Sequence, residues 1–267
     1  MKLALINDVF FRANDRQRLD ETLSRARDAG ADLALLPELP LNGWAPATKK
    51  PVVEDAEEWG GPRQQIFRQA AQDHKISIVG GAILRDEKGR RFNTALVFNP
   101  AGKMAGSYRK VHLPEEPGFW ETSHYQAGEQ APALFELLPI PFGIQICSDT
   151  NRPHGSHLLA SQGAGLILIP RATEAATYER WRLVFQANAL TCGCYVASVN
   201  RPAAEQGVLI GGPSILVGPR GDIQSETTDS LAIVELDPEQ VSRARLTYPG
   251  YLAWPSSYYA RCWLSSC

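Results

Sequence analysis

Three reactive side chains follow apolar, strand-like segments of this sequence. Glu38 follows "LALLP" and lies in "LPELPL", Lys110 lies near the end of "SYRKVHL", and Cys147 ends "GIQIC". In α/β sheets, reactive groups gather where strands end at the carboxyl edge. The three side chains are therefore predicted to meet at such an edge, provided that the segments before them form strands.

Each of these residues has an ordinary structural explanation when it is taken alone. A cysteine at the end of an apolar strand is usually core packing, because free cysteine is among the most buried residue types. A glutamate after a strand is usually a loop carboxylate or a helix cap, and a lysine is usually a solvated charge. Glu38, however, is surrounded by leucines and prolines, and a carboxylate is costly to bury there without a partner.

Taken together, the three residues make a chemical unit. A thiol needs a base to become a nucleophile, and a desolvated carboxylate has a raised pKa that suits this task. Attack on an amide or nitrile carbon creates a negative oxygen or nitrogen, which a fixed ammonium group stabilises. The turn "SDTNRP" leads into a predicted helix over 155–165, and we expect the positive end of that helix to favour the thiolate of Cys147.

Strand and helix patterns alternate in both halves of the chain. Helices are predicted over 14–30, 61–75, 155–165 and 174–192. Strands are predicted over 2–7, 31–37, 76–84, 93–100, 102–113, 141–147, 166–170, 194–200, 213–219, 221–226 and 231–237. The apolar runs lack alternation, which is typical of strands buried on both faces. We therefore predict an α/β fold with two sheets face to face, helices outside, internal pseudo-symmetry, and a single domain over residues 1–267.

The composition excludes several classes of protein. The chain has 267 residues, of which 44% are hydrophobic and 21% charged, with a net charge of −2. No Lys/Arg block suggests a nucleic-acid partner, and no apolar run approaches the roughly 20 residues of a membrane helix. The N-terminal segment reaches Asn7 and Asp8 too early for the core of a signal peptide. A cytoplasmic protein without nucleic-acid or membrane partners is predicted.

The cysteines argue against a disulfide framework and against a metal site. There are five, an odd number. Cys192 and Cys194 are separated by one residue, which is closer than the usual zinc pair, and Cys262 and Cys267 have no histidine cluster beside them. No metal and no cofactor are predicted.

The motif segments identify a family. "LLPELPLNGW", "YRKVHL" and "GIQICSD" resemble the three signature segments of the nitrilase superfamily of carbon–nitrogen hydrolases. The resemblance extends from "KLALIN" to "AIVELD", and it implies a four-layer α-β-β-α sandwich. It also implies that Glu38 is the general base, Lys110 the transition-state cation and Cys147 the nucleophile. The family carries a further glutamate after the lysine segment; Glu121 is the best match and would orient Lys110, and Glu116 is the rival assignment.

The residues after the nucleophile favour an amide or N-carbamoyl substrate. Nitrilases of this family typically have Trp-Glu after the cysteine, whereas this chain has Ser148 and Asp149, as in the amidase and carbamoylase branches. The resemblance then implies a thiol amidohydrolase that forms a thioester on Cys147 and releases ammonia or an amine from a small molecule.

Five residues are predicted to contact the substrate: Ser148, Trp44, Trp120, Arg171 and Arg152. Arg152 and Arg171 are the nearest candidates for binding a substrate carboxylate, and a bidentate guanidinium group would favour an acidic substrate. A surface charge beside a helix is an equally good interpretation of Arg171. The two tryptophans fit a pocket, a core or a dimer contact equally well. Trp181, at helical spacing with Phe185, is predicted to lie in the core.

Three other functions remain open at this point. The chain fits a true nitrilase that converts a nitrile to an acid and ammonia. It also fits a Cys–His hydrolase, for which His112, His154 and His157 are available; His154 stands where the family commonly has glutamate. A non-catalytic subunit that keeps the family fold is the third alternative.

The C-terminal tail, residues 248–267, is unlike the rest of the chain. Its segment "YPGYLAWPSSYYARCW" is rich in aromatic residues and interrupted by proline, and so apolar a surface is expected to be covered. The family resemblance suggests that the tail packs across the interface of a homodimer or larger homo-oligomer. Packing on its own subunit is the alternative.

Overall fold

The structure, a computed structural model, describes residues 1–264, in which six α-helices pack around two main β-sheets. Cys267 and the last residues of the predicted tail lie outside the described residues. The helices are α1 (Asp15–Asp28), α2 (Pro62–His74), α3 (Pro153–Gln162), α4 (Tyr178–Cys192), α5 (Pro238–Leu246) and α6 (Ser256–Leu264).

Most strands fall close to the predicted runs, whereas three short ones, Ala56–Glu57, Glu115–Glu116 and Phe119–Trp120, were not predicted. The strands are β1 (Lys2–Leu5), β2 (Leu33–Leu35), β3 (Ala56–Glu57), β4 (Ser77–Arg85), β5 (Arg91–Phe98), β6 (Met104–Arg109), β7 (Glu115–Glu116), β8 (Phe119–Trp120), β9 (Phe142–Ile144), β10 (Leu166–Pro170), β11 (Tyr195–Val199), β12 (Ser214–Val217), β13 (Ile223–Thr227) and β14 (Ala232–Glu235).

The two sheets have the same internal topology. The first has the order β14-β1-β2-β4-β5-β6, with β3 beside β4, and the second has the order β13-β12-β11-β10-β9. In the first, β1, β2 and β4 are parallel and β5 and β6 follow antiparallel. In the second, β9, β10 and β11 are parallel and β12 and β13 follow antiparallel. The predicted pseudo-symmetry is thus confirmed.

Burial shows how the sheets and helices are layered. Leu3 and Leu5 of β1 pack in one cluster with Ile144 of β9 and Leu168 of β10, so this cluster lies between the two sheets. The alternate residue Ala4 packs instead with α1 and α2 on the outer face of the first sheet. The outer face of the second sheet packs in the same way against α3 and α4. Strands buried on both faces therefore produce the predicted α-β-β-α sandwich.

The carboxyl ends of the key strands lie at one end of the sandwich. β6 runs parallel to β4 because two antiparallel pairings separate them, so its carboxyl end is on the same edge as that of β2. The segments after β2 and β10 meet, because the backbone N–H of Glu38 donates to the carbonyl of Arg171 at 3.4 Å. This edge brings the predicted reactive groups together.

The end of β9 and the helices α5 and α6 also differ from the sequence prediction. β9 ends at Ile144, and Cys147 begins a short 3₁₀ turn, Cys147–Asn151, instead of ending the strand. Helix α5 follows β14 and was not predicted. Its start has a clear signal, since the Asp237 side chain accepts a hydrogen bond from the N–H of Glu239 and Pro238 occupies the first turn.

The described part of the tail lies largely on the surface of the chain. Tyr248 is 75% exposed and Leu264 is 82% exposed. The ring of Trp254 contacts His157 and the ring of Trp263 contacts His154, but most of the apolar area stays uncovered within one subunit. Separately, none of the helices within residues 1–264 is long and apolar enough to cross a membrane.

Candidate active site

Cys147 is held in an unusual backbone conformation at the start of its 3₁₀ turn. Its φ is 48°, in the left-handed region that non-glycine residues rarely adopt and that often marks a functional site. The side chain is buried, and its thiol donates to the carbonyl of Ala172, 3.5 Å away, just after β10. The turn thus places the sulfur between the ends of β9 and β10.

Lys110 lies between two carboxylates. Its Nζ is 2.8 Å from Oε1 of Glu38 and 2.6 Å from Oε1 of Glu121. All three side chains are fully buried. Asn93 also donates to Oε1 of Glu38, at 2.7 Å. The second carboxylate oxygen of Glu38 and that of Glu121 are buried without a hydrogen-bond partner. Such orphaned acceptors are rare in folded proteins and mark places where a proton or a ligand is received.

The buried cluster has more carboxylates than cations, and this sets its protonation. Burial raises the pKa of Glu121 to about 8, although Lys110 opposes the rise. Burial disfavours the charged form of Lys110, yet the carboxylates of Glu121 and Glu38 outweigh it and hold the pKa of Lys110 well above its usual value. The two carboxylates thus keep Lys110 charged, while burial and the charge of Glu38 favour the protonated form of Glu121.

The thiol of Cys147 is protonated in the resting site. Burial raises its pKa, the charge of Glu38 raises it further, and Lys110 only partly offsets these effects. The expected lowering of this pKa by the positive end of a helix is not seen: α3 begins at Pro153, after the 3₁₀ turn, and burial is the largest influence on the thiol. The sulfur therefore needs a base to remove its proton as it attacks.

Asp149 ties the cysteine turn to the lysine segment. Its buried carboxylate accepts hydrogen bonds from the backbone N–H groups of Ile146, Val111 and His112, at 3.1, 3.2 and 2.8 Å. It also accepts from the hydroxyl of Tyr108, at 2.9 Å, and lies 2.8 Å from Nδ1 of His112. Sequence reasoning treated Asp149 only as a branch marker; its place two residues after the cysteine was the available signal for this role.

We expect Asp149→Asn to lower both stability and activity. The amide replaces one acceptor oxygen by an N–H₂ group that faces backbone donors, so the free energy of unfolding should fall by about 3 kcal/mol. Denaturant unfolding and kcat would measure the two effects. The exposed Asp229 provides the control Asp229→Asn, which should change neither quantity; an unchanged Asp149→Asn would contradict the role given to this carboxylate.

Arg201 fixes the backbone around Glu38, which the sequence did not reveal. The guanidinium group donates to the carbonyls of Glu38 and Leu39, both at 2.8 Å, and to that of Asn42 at 2.9 Å. It also binds both carboxylate oxygens of Glu205. Arg201 is fully buried and each nitrogen of its guanidinium group donates a hydrogen bond, so it fixes the position of the loop that carries Glu38.

A cavity of about 200 Å³ leads from the surface to Cys147. It is smaller than the roughly 300–1,000 Å³ of pockets for drug-sized ligands, so it suits a small, linear molecule. The residues that line it are Pro114, Glu116, Phe119, Cys147, Ser148, Asn151, Ala172, Thr173, Glu174, Thr177 and Trp181.

Of the residues predicted to contact substrate, only Ser148 lines this cavity. Trp44 is fully buried, with its Nε1 donating to the carbonyl of Gly118 at 2.8 Å. Trp120 carries the ammonium group of Lys49 over its ring, at 3.9 Å. Phe119, which stands next to Trp120 in the chain, lines the cavity instead.

The two predicted arginine contacts lie elsewhere. Arg171 is fully buried, and its guanidinium group donates to Thr173, Ser198 and the carbonyl of Pro213. This corrects both interpretations of the sequence, because Arg171 is neither a surface charge nor directed at the cavity. Arg152 is exposed and does not line the cavity.

The geometry separates the two candidate glutamates. Glu121 contacts Lys110, whereas Glu116 lies at the cavity lining. Trp181 was predicted to be core, and it does pack against both clusters beside the second sheet, yet it also lines the cavity. The helical spacing of Trp181 and Phe185 alone could not reveal that Trp181 also lines the cavity.

The histidines do not supply a base to Cys147. His112 is engaged with Asp149, and the rings of His154 and His157 contact the tail. Within residues 1–264, no hydrogen bond joins a histidine to the Cys147 sulfur, whose bond goes to Ala172. The Cys–His alternative therefore has no support in this geometry.

The sequence pattern of the carbon-nitrogen hydrolase family matches residues 12–246, which include all four clustered residues. The chain belongs to the carbon-nitrogen hydrolase family. The resemblance to the nitrilase superfamily seen in the motifs is thus confirmed, and the chain is a hydrolase of carbon–nitrogen bonds.

Named relatives match over most of their length. The chain is 26% identical to the deaminated glutathione amidase of Synechocystis, covering 87% of this chain and 89% of that protein. It is 27% identical to the omega-amidase of Homo sapiens, covering 89% and 88%. Its fold is similar to that of Nit3 of Saccharomyces cerevisiae, a member of the nitrilase superfamily, with a TM-score of 0.81, 28% identity, and coverage of 93% and 94%.

Proposed function

We propose that this protein is a thiol amidohydrolase that cleaves a non-peptide C–N bond in a small linear amide or N-carbamoyl compound. The observation that carries the proposal is the buried Glu38–Lys110–Glu121 cluster beside Cys147 at the end of a small cavity. The amidase names of two relatives with nearly full coverage support the choice of an amide.

The proposed reaction begins with a proton transfer. Glu38, held by Asn93 and Lys110, takes the thiol proton as the sulfur of Cys147 forms a bond to the substrate carbonyl carbon. The carbonyl oxygen becomes negative, and the ammonium group of Lys110 stabilises it. Glu121 holds the ammonium group of Lys110 in place and favours the charged form of Lys110.

Two further steps complete the cycle. The tetrahedral intermediate breaks its C–N bond, and the leaving ammonia or amine receives the proton from Glu38, which leaves a thioester on Cys147. Water then attacks the thioester carbon while Glu38 accepts a water proton. The C–S bond breaks, the carboxylic acid leaves, and the sulfur recovers its proton.

A matched amide and nitrile test the reaction type. We expect propanamide to release ammonia and propanoate, and the protein quenched in acid to carry a propanoyl group on Cys147 by mass spectrometry. Propanenitrile should react far more slowly, because the residues after Cys147 are not those typical of nitrilases. Rapid turnover of the nitrile without the amide would favour a nitrilase, and failure with both, without an adduct, would favour a non-catalytic subunit.

We also propose one domain whose tail, from residue 248 on, packs across the interface of a homodimer. Helix α6 presents Tyr258, Tyr259 and Trp263, each more than half exposed within one subunit, and an uncovered surface of this kind marks an interaction site. The cytoplasmic location stays a prediction from the sequence.

Charge placed on this helix should break the assembly. We expect sedimentation to show a dimer for the full chain and a monomer for the double variant Tyr258→Glu/Tyr259→Glu, because two carboxylates would be desolvated at the interface. Val53→Glu, at another exposed apolar position, is the control and should stay dimeric. A double variant that remains a dimer would place the interface elsewhere.

A further inference from the structure

The mouth of the active-site cavity carries negative charge. Glu116 and Glu174 line it, and its lining residues include no lysine, arginine or histidine. Two cations are engaged with other carboxylates: Lys49 pairs with Glu115, the neighbour of Glu116, and Arg182 pairs with Glu226. Arg152, which follows the lining residue Asn151, is exposed and does not line the cavity. Within the described part of the chain, neither Glu116 nor Glu174 has a basic side chain as a partner. Two carboxylates at this mouth are therefore not neutralised by the protein.

The buried cation next to the lining is not available to a ligand. Arg171 precedes Ala172 and Thr173, which both line the cavity. Its guanidinium group, however, donates to Thr173, Ser198 and Pro213. A substrate carboxylate that entered this cavity would meet two like charges and find no basic side chain among the residues that line it.

Aromatic residues complete the cavity wall. Trp181 and Phe119 line it; Trp181 is partly exposed and Phe119 is buried. In residues 1–264, the protein's own cations lie over other rings, such as Lys49 over Trp120 and Arg201 over Trp44. The face of a tryptophan attracts a cation within about 6 Å of the ring centre, most strongly when the cation is desolvated. An indole beside two carboxylates is a suitable environment for a positive group.

We propose that the substrate is a cation: a short amide or N-carbamoyl compound whose non-reacting end bears an ammonium or guanidinium group. Glu174 and Glu116 bind that end near Trp181, while the amide carbon reaches Cys147. The small cavity limits the chain between the two ends to a few methylene groups. This inference rests on the proposed amidohydrolase function, because it names the substrate class of the same site.

Three amides that differ only in their end group test the charge preference. They share a trimethylene chain and end in an ammonium, a methyl and a carboxylate group: 4-aminobutanamide, pentanamide and glutaramate. We expect kcat/KM to fall in that order, by up to about fivefold at each step, since partly exposed ion pairs have effects of this size. Raising the salt concentration should reduce the differences in kcat/KM among the three amides, because salt screens interactions between exposed charges. A preference for glutaramate would overturn the inference.

Glu174→Gln tests the origin of the preference. It should lower kcat/KM by up to about fivefold for 4-aminobutanamide, raise it for glutaramate and affect pentanamide least. Glu179→Gln is the matched control, because Glu179 is exposed on α4 and does not line the cavity; the order of the three amides should stay the same. If Glu174→Gln changed all three substrates equally, its role would be structural, and the inference would fail for this residue.

A binding measurement separates this inference from the proposed function. The three amides would be compared for protection of Cys147 against iodoacetamide, which needs no turnover. If no amide is hydrolysed and no acyl adduct forms, the proposed function fails, and the order of protection alone decides the charge preference. If pentanamide is hydrolysed but glutaramate protects best, the proposed function stands and the cationic substrate is excluded.

Discussion

Replacement of Cys147 by alanine is expected to abolish amide hydrolysis and to leave the fold intact. The thioester route requires the sulfur, and removal of a nucleophile of this kind typically lowers kcat by 10⁴-fold or more. The structural cost is small, because the thiol makes a single hydrogen bond, to Ala172, and the lost volume is one atom. Ammonia release with an amide substrate measures the first effect, and thermal unfolding measures the second.

Cys192 is the matched control for this experiment. It is also a buried cysteine, but it packs with α3 and α4 on the far side of the second sheet, away from the cavity. Cys192→Ala should keep kcat within about twofold even if the loss of packing lowers stability by about 1 kcal/mol. Undiminished turnover in Cys147→Ala would contradict the proposal that the Cys147 thiol is the nucleophile.

Replacement of Glu38 by glutamine is expected to lower kcat by 10²- to 10⁴-fold, the usual contribution of a general base. The effect should be large because the resting thiol is protonated: burial and the charge of Glu38 raise the pKa of Cys147. Glutamine keeps the shape of the side chain and can still accept from Asn93 or Lys110, but it cannot take the thiol proton. Single-turnover measurement of the Cys147 adduct would show slow acylation.

Glu57→Gln separates loss of the base from loss of a buried charge. Glu57 is buried and binds Arg63 and Gln64 outside the cavity, so its replacement should lower stability and leave kcat of the folded enzyme unchanged. A rate of acylation in Glu38→Gln equal to that of the parent protein would assign the base to another group.

The carboxylate oxygens of Glu38 and Glu121 that have no hydrogen-bond partner explain how the cluster serves both acylation of Cys147 and hydrolysis of the thioester. Lys110 engages only one oxygen of each glutamate, so the second oxygen of Glu38 and of Glu121 has no partner in the protein. The free oxygen of Glu38 can therefore receive the thiol proton without the loss of an existing hydrogen bond. Glu121 and Glu38 together hold the pKa of Lys110 well above its usual value, so Lys110 keeps its charge although it is fully buried.

The sequence by itself determined the fold class and three of the clustered residues, Glu38, Lys110 and Cys147, and it left Glu121 and Glu116 as alternatives for the fourth. Apolar runs without alternation are typical of strands covered on both faces, and such strands need the layers of helices that the structure contains. Glu38, Lys110 and Cys147 each follow a strand closely. The strands before Glu38 and Lys110 run in the same direction in the first sheet, so their carboxyl ends lie at one edge. Local pattern was sufficient to predict these three residues, because each comes soon after its own strand-forming segment and the prediction needs no distant part of the chain.

Only the tertiary structure decided what surrounds those residues. Arg171 follows strand β10 as Glu38 follows β2, yet its guanidinium group points to Ser198 and Pro213 and not into the cavity. Asp149 and Arg201 fix the site through backbone groups far away in the chain, and no spacing rule encodes such contacts. The charge at the cavity mouth likewise comes from Glu116 and Glu174, which lie on separate segments. The direction of a side chain depends on packing between layers, and that packing is absent from any single segment of sequence.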